Sequence, residues 1–288
     1  GLRGLGAGEP ELPVDHEEGN AADAQGAGLG DVVADGVGVG VRAEQVRQVA
    51  GVEPEVQAQG GQVRLAADVQ AVLELSPDLV LANQEENSRP NLEALAEERV
   101  RTFVSFPKRV PDAIAHVARL ARILGVDERA KELMRSGYAM LNEAPPEASV
   151  KVFVPVWKDP WMSVSEGTYS HDLLARAGAA NVFGDRERKY PLKADLGMRS
   201  PLPADQVANR DKRYPRFSEE ELLATDPDLI LLPDEPYEFG EADKDELAAL
   251  FASVGKSPRI ELCSGKDLFW YGTRTIDALP RLRALIKG

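Results

Sequence analysis

Cysteine is nearly missing from this chain. Cys263 is the single one among 288 residues, so no internal disulfide can form. Histidine is scarce as well, with three copies. His16 and His116 have no partner at metal-ligand spacing, and His171 reads as a surface or capping group at a helix start. No resident metal centre or other intrinsic cofactor is expected, and any metal handled here would arrive already chelated. No stretch approaches the roughly 18–20 uninterrupted apolar residues of a membrane span. Basic residues number 34 against 48 acidic ones, a formal charge of −14, which argues against general affinity for nucleic acid or anionic lipid surfaces. The chain opens at Gly1 without a charged-then-apolar leader, so a signal sequence was either removed or never there.

A second absence is local. From Gly1 to Gln70 there is no Ser, Thr, Lys, Ile, Met, Cys or aromatic residue, although these types make up roughly a third of average composition. The segment is dominated by Gly, Ala, Val, Asp, Glu, Gln and Arg, with glycine runs at Gly26, Gly28, Gly30 and at Gly36, Gly38, Gly40. One reading is a low-complexity, disordered extension. The other is a GC-rich gene read out of frame up to about residue 70, which replaces true sequence by its coding shadow. A phosphate loop is not expected, because no Gly-Lys-Ser/Thr follows the glycines.

What is present is a repeat. Leu73-Glu-Leu-Ser-Pro77-Asp-Leu-Val-Leu-Ala82 is answered by Leu223-Ala-Thr-Asp-Pro227-Asp-Leu-Ile-Leu-Leu232. Each copy reads as a helix end, a Pro-Asp turn and a strand buried on both faces, so two similar Rossmann-like α/β lobes are expected. Each apolar run stops in polar or turn residues, Asn83 to Asn87 in one and Pro233 to Pro236 in the other, and the carboxyl ends of parallel strands are where ligands are met. Residues 71–111 form the remainder of the N-terminal lobe, 112–143 a connecting helix and 149–288 the C-terminal lobe. The connector carries Ile114, Val117, Ala121 and Leu124 at helical spacing, with Gly125 and Asp127 marking an interruption and restart. Nearly continuous helix of that length reaches about 45 Å at roughly 1.5 Å per residue. Beyond it the pattern predicts a strand at Val150–Trp157, helices at Ser170–Ala177, Glu219–Ala224 and Asp245–Ala252, a last strand at Asp267–Tyr271 and a closing helix at Ile276–Lys287.

Aromatic residues are 6% of the chain, and all three tryptophans follow predicted strands or turns. Trp157 and Trp161 bracket Lys158-Asp-Pro160, while Trp270 and Tyr271 precede Arg274. On one sheet edge they would form an aromatic wall with a cation, suited to a large planar or macrocyclic ligand; otherwise they fill lobe cores. Ser170-His171-Asp172 is no triad, because neighbours on one helix do not converge. Acidic groups cluster at Glu85-Glu86 and at Glu219 to Glu221, either as solvated faces or as a two-point docking site.

From about residue 70 onward the chain resembles the substrate-binding proteins of ABC importers for cobalamin, ferric siderophores and haem, most of all the cobalamin-type branch. The resemblance is carried by the two Pro-Asp phrases, Trp157-Lys-Asp-Pro-Trp-Met162, Gly167-Thr-Tyr-Ser-His-Asp-Leu-Leu174 with Gly178-Ala-Ala-Asn-Val-Phe183, and Tyr214-Pro-Arg-Phe-Ser-Glu-Glu-Glu-Leu222. It implies two lobes joined by a single long helix, a class III periplasmic-binding-protein-like fold, with the N-terminal lobe incomplete as written. It also implies a monomeric, extracytoplasmic, non-enzymatic protein that captures a small-molecule metal chelate for an ABC permease. Ligand positions would fall at Asn83, Gln84, Glu85, Trp161, Met162, Tyr190, Tyr214, Trp270, Tyr271 and Arg274. Permease-docking glutamates would be Glu220 and, in ambiguous register, Glu85 or Glu86. Family loops of the Pro-Ser-Thr-Glu and Gly-Gly-Thr types do not occur in residues 1–70. The alternatives are a hydrolase or chelatase on the same scaffold, or a binding module without a transporter.

Overall fold

Both copies of the repeated phrase leave their helix through a residue in the left-handed region, Ser76 at φ 47° and Asp226 at φ 51°. The residue before a proline is disfavoured in the right-handed helical region, so helices α1 (Val69–Glu74) and α7 (Glu219–Thr225) both end just ahead of Pro77 and Pro227. Strands β3 (Val80–Asn83) and β9 (Leu229–Pro233) follow. Asp228 Oδ2 then accepts the Lys151 N–H at 2.8 Å, fastening the second turn to the start of the neighbouring strand. The computed structural model describes residues 55–59, 62–66 and 69–288. The two readings of residues 1–70 fall largely outside these. Where they overlap, β1 (Glu55–Gln59) and β2 (Gln62–Ala66) pair antiparallel, with Glu55 opposite Ala66.

In lobe one, β3 is followed by α2 (Arg89–Glu97) and β4 (Thr102–Ser105). These two strands pair in parallel, with Asn83 opposite Ser105, which places both carboxyl ends side by side. Lobe two contains β5 (Val150–Phe153), β6 (Pro155–Trp157), β7 (Met162–Ser163), α5 (Tyr169–Ala177), β8 (Ala179–Asn181), α6 (Leu192–Asp195), α8 (Glu241–Ala252), β10 (Arg259–Cys263), α9 (Gly265–Phe269) and α10 (Arg274–Lys287). Its parallel sheet runs β10-β9-β5-β8.

All five residues of β9 are buried. Its side chains alternate between two cores, as a period of two requires. Leu229 and Leu231 join Val152, Leu173, Leu174 and Leu282 on one face. Ile230 and Leu232 join Phe153, Phe183, Phe217, Leu247 and Phe251 on the other. The strand expected at Val150–Trp157 divides at Val154 into β5 and β6, because Pro155 has no N–H for the parallel ladder. Strand β6 instead forms an antiparallel hairpin with β7.

The segment 112–143 is two helices, α3 (Val110–Ile123) and α4 (Asp127–Asn142), rather than one strut. Gly125 (φ 64°) closes α3. The Gly125 N–H donates to the Arg122 carbonyl and the Val126 N–H to the Ala121 carbonyl, the reverse turn of a Schellman cap. Helix α4 then runs back along α3, so close that a Cβ on Gly137 would lie 3.0 Å from Ile114 Cγ2. The connecting element is α3 alone, 14 residues or about 21 Å at 1.5 Å per residue. Val110, Ala113 and Ile114 sit in a lobe-two core, and the Val110 N–H donates to Asp172 Oδ2 of α5 at 2.8 Å. On its other face, His116 stacks on Phe103 of β4.

Asp267–Tyr271, expected as the last strand, instead spans most of α9 and the two residues after it; the last strand is β10. Edge position explains the miss. Of its five residues only Ile260 is fully buried, so Arg259-Ile-Glu-Leu-Cys263 lacks the apolar run that marks a central strand. Among the described residues no helix is long and apolar enough to cross a membrane.

Candidate functional site

The loop that ends β3 is held by its own asparagines. Asn83 Oδ1 accepts the backbone N–H of Glu85 at 2.6 Å and of Glu86 at 3.2 Å, and Asn87 Oδ1 accepts the Asn83 N–H at 2.9 Å. These Asx-type bonds satisfy the turn locally and direct Glu85 toward lobe two. There Glu85 Oε1 accepts from Arg213 Nη1 at 2.8 Å and from Tyr214 Oη at 2.7 Å. Arg213 is held from its far side by Asp211, with Nε to Oδ1 at 2.9 Å, and its guanidinium lies 4.7 Å from the Phe106 ring centroid. Burial, and next the Glu85 carboxylate, push the Tyr214 phenol well above its ordinary pKa. It therefore stays a donor to Glu85 at neutral pH.

A second bridge joins the lobes at β4. Ser105 Oγ donates to the Ala82 carbonyl at 3.1 Å and lies 3.1 Å from Tyr271 Oη. A serine has one hydroxyl proton, so with it on Ala82 the tyrosine is the donor in that pair. The Tyr271 ring meets His116 edge-on at 5.6 Å.

Beside this second bridge lies a cavity of about 340 Å³. Leu81, Phe103, Leu120 and Tyr271 supply its apolar walls; Asn83, Asn87, Glu86, Ser105 and His116 supply polar groups. Glu86 is solvent-exposed at the rim of the cavity, and its carboxylate is partly desolvated there. That desolvation, then the charges of Glu85 and Glu235, raise its pKa. His116 is 8% exposed and its Nδ1 has no partner among the described residues. Burial, followed by Arg119, lowers its pKa, so the ring is neutral at pH 7.

Of the expected ligand residues, Asn83 and Tyr271 line the cavity, and Glu85 and Tyr214 meet in the first bridge. Gln84 is exposed and holds the Ser105 carbonyl through its N–H. Trp161 belongs to the lobe-two core instead, 7% exposed and stacked on Phe239 at 6.1 Å. Met162 is buried in the β6–β7 hairpin cluster. Tyr190 is buried, with its hydroxyl on the Asp211 carbonyl and the Arg188 and Arg210 guanidiniums 4.4 and 5.0 Å from its ring centroid. Trp270 is 54% exposed beneath the Lys266 ammonium, and Arg274 is paired with Asp267 at 2.8 Å. Trp157 is half-buried against the β6–β7 hairpin cluster and meets Tyr237 edge-on at 5.5 Å, so the three tryptophans take separate settings and do not form one wall.

The docking glutamates separate likewise. The Glu85 carboxylate is held across the cleft and Glu86 lines the cavity. Glu220 is exposed on the first turn of α7, whose Ser218 cap lowers its pKa. Arg213, Ser105 and Phe106 escaped the sequence reading, and His116 entered it only as a histidine without a metal-ligand partner. Ser105 and Phe106 follow directly from the rule that strand carboxyl ends meet ligands, applied to β4 as well as β3. Arg213 stands next to Tyr214 in a loop without periodicity, and nothing local marks its partner across the cleft.

Ser170, His171 and Asp172 are committed to structure. Ser170 Oγ donates to the Leu268 carbonyl, His171 Nδ1 lies 3.3 Å from Asn181 Nδ2, and Asp172 holds Val110 and Arg176. Among the described residues no three His, Cys, Asp or Glu side chains converge as a metal requires.

Comparison with known proteins places this architecture. The family model described as "Periplasmic binding protein" matches residues 34–250, beginning inside the compositionally unusual segment. The vitamin B12-binding protein of Pectobacterium carotovorum subsp. carotovorum (strain PC1) is 25% identical over 175 residues, 59% of this chain and 55% of that protein. Its counterpart from Photorhabdus laumondii is 24% identical over 169 residues, 57% of this chain and 53% of that protein. The chain spans about half the length of these curated relatives. Among solved structures, the periplasmic vitamin B12 binding protein of Vibrio cholerae superposes with a TM-score of 0.55 at 16% identity, covering 80% of each chain. The periplasmic heme-binding protein of Roseiflexus sp. RS-1 gives 0.55 at 19% identity, over 77% of this chain and 80% of that one. At these identities the shared property is the fold, two α/β lobes of the class III periplasmic-binding-protein type.

Proposed function

The chain belongs to the periplasmic binding protein family, and on that premise we propose that it captures a metal chelate outside the cytoplasm and delivers it to an ABC permease. A corrinoid of the cobalamin type is the first candidate, a haem or ferric siderophore the second. The carrying observation is the cleft at the carboxyl ends of β3 and β4, where a cavity lined by aromatic, amide and carboxylate groups, Tyr271 among them, lies next to the loop whose Glu85 is bridged to Arg213 and Tyr214. The named relatives bind vitamin B12 and one structural neighbour binds heme, which favours a binding role over the hydrolase or chelatase alternative. The protein acts as a monomer in this reading, with no resident cofactor; the metal belongs to the cargo.

Incubation with cyanocobalamin, haemin and a ferric hydroxamate, followed by native mass spectrometry, tests the reading. A one-to-one complex with one of them is the expected result. Retention of none, at concentrations up to the micromolar range, would overturn it.

Permease recognition is proposed through Glu220, an exposed carboxylate on the second lobe. Glu85 and Glu86, which face the cleft, are reassigned to the ligand side. Glu220→Ala is expected to leave chelate affinity unchanged and to reduce uptake in a reconstituted transporter. Electrostatic contacts of this kind act mainly on encounter and orientation, so the loss should shrink as ionic strength rises. Uptake equal to wild type at low salt would remove Glu220 from the docking surface.

A further inference from the structure

We propose that Glu86 makes the cleft selective for chelates whose periphery carries uncharged carboxamides, and that it rejects those presenting carboxylates. This rests on the chelate-binding reading above and specifies its chemistry. Asn83 and Asn87 each point a carboxamide oxygen at backbone N–H groups. Their amide nitrogens, two N–H donors each, have no partner among the described residues while lining the 340 Å³ cavity. The Glu86 carboxylate, on the same cavity, is likewise without a hydrogen bond or ion pair among them. His116 is a second and independent sign that the cavity is built for a polar occupant. It is more than nine-tenths buried, unpartnered at Nδ1, and lines the same space. Buried polar groups are ordinarily satisfied; here His116 Nδ1 is not, and it shares its cavity with half-buried asparagine amides and an exposed carboxylate.

Donors beside an acceptor are complementary to a primary carboxamide. Its carbonyl oxygen accepts from an asparagine N–H, and its own NH₂ donates to Glu86. A carboxylate arm could use the asparagines but would meet Glu86, with Glu85 and Glu235 adding to the negative field. The nearby cations do not compensate. Arg213 is already shared by Glu85 and Asp211, and Arg119 is exposed and lines the separate groove between α3 and α4. Lys108 Nζ sits 4.7 Å from the Phe106 ring centroid, outside the cavity lining. Discrimination by an unfavourable like-charge contact is a recognised way to specificity.

The test compares matched pairs by calorimetry. Cyanocobalamin is set against its monocarboxylic hydrolysis product, and haemin bis-amide against haemin. Wild type is expected to bind the amide form at least about tenfold more tightly than the acid in the pair it accepts, and Glu86→Gln is expected to bring the two within about threefold. Glu86→Ala, which removes the charge without keeping the shape, should narrow the gap similarly. Equal affinity of wild type for amide and acid, or full discrimination retained in both variants, overturns the proposal while leaving chelate binding intact. Binding of neither pair would overturn the chelate-binding reading itself, and the selectivity with it.

Discussion

Trp161→Ala is expected to destabilise the second lobe by about 3–5 kcal/mol, the usual range for truncating a large buried aromatic side chain. Trp161 is 7% exposed. Its ring stacks on Phe239 at 6.1 Å with an interplanar angle of 3° and meets Phe153 edge-on at 6.3 Å. Phe153 in turn touches Phe183 and Phe217, so the cavity left by alanine would open at the edge of a contiguous aromatic core. Neighbours fixed by the sheet, such as Ile230 and Leu232, collapse poorly into such a space. For a chain of this size each kcal/mol corresponds to roughly 2–4 °C in Tm, giving an expected fall of about 6–20 °C in a thermal melt. Trp161→Phe should lose far less. A melt within 2 °C of wild type, accompanied by weakened chelate binding, would return Trp161 to the cleft.

That outcome separates two kinds of information in the chain. The Pro77 and Pro227 phrases announced two α/β lobes because helix exit, proline and apolar strand are local and physically coupled; even the left-handed residue before each proline recurs. Helix α5, with Thr168 capping its start and Gly178 its end, is legible for the same reason. The reversal at Gly125 was visible as an interruption, but not as a turn. A glycine in an otherwise periodic helix serves as a kink or as a cap, and the choice here depends on Ile114 packing against Gly137, a contact far away in sequence. Strand β10 was hidden by its edge position, and Asp267–Tyr271 resembled a strand because its apolar and aromatic residues are equally suited to a short helix covering the core through Leu268.

The candidate site was half legible. The polar loop from Asn83 and the aromatic Tyr271 mark themselves at predicted strand ends, while the family resemblance names Glu85 and Tyr214 as ligand residues. Arg213 could not be named, since its interaction with Glu85 spans the two lobes and arginine is not unusual in a loop, whereas Ser105 stands at a strand end where the same rule applied to β4 would have found it. Aromatic content misled in the opposite direction. Trp161 in a Pro-Trp-Met turn is as compatible with capping a core as with lining a cleft, and the surrounding phenylalanines, scattered from Phe153 to Phe239, decide between them.

Asp195→Ala is the second substitution expected to have a large effect, and it connects lobe stability to the cleft. The Asp195 side chain is wholly shielded from solvent. It accepts the Arg216 N–H at 2.8 Å, the Lys189 N–H at 2.9 Å and Arg186 Nη1 at 2.9 Å. Arg186 also binds Glu221 Oε1 at 2.6 Å, so one carboxylate and one guanidinium tie the 186–189 loop, α6, the 216 segment and α7 together. Removing Asp195 leaves two backbone N–H groups without that acceptor and strips a mostly buried cation of one of its two carboxylates. Breaking a buried pair from one side costs about 3–5 kcal/mol. Asp195→Asn keeps the shape and an acceptor and should cost less, about 1–3 kcal/mol. Arg216 lies two residues beyond Tyr214, so loosening its anchor also frees the loop that carries Arg213 and Tyr214 to Glu85. Asp195→Ala is therefore expected to weaken chelate binding as well, although Asp195 lies outside the cavity, whereas Trp161→Ala should leave the affinity of the folded protein near wild type. Urea unfolding with chelate titration on both variants measures the contrast. A loss below 1 kcal/mol for Asp195→Ala would mean that Glu221 alone suffices to hold Arg186 and the cleft loop in place.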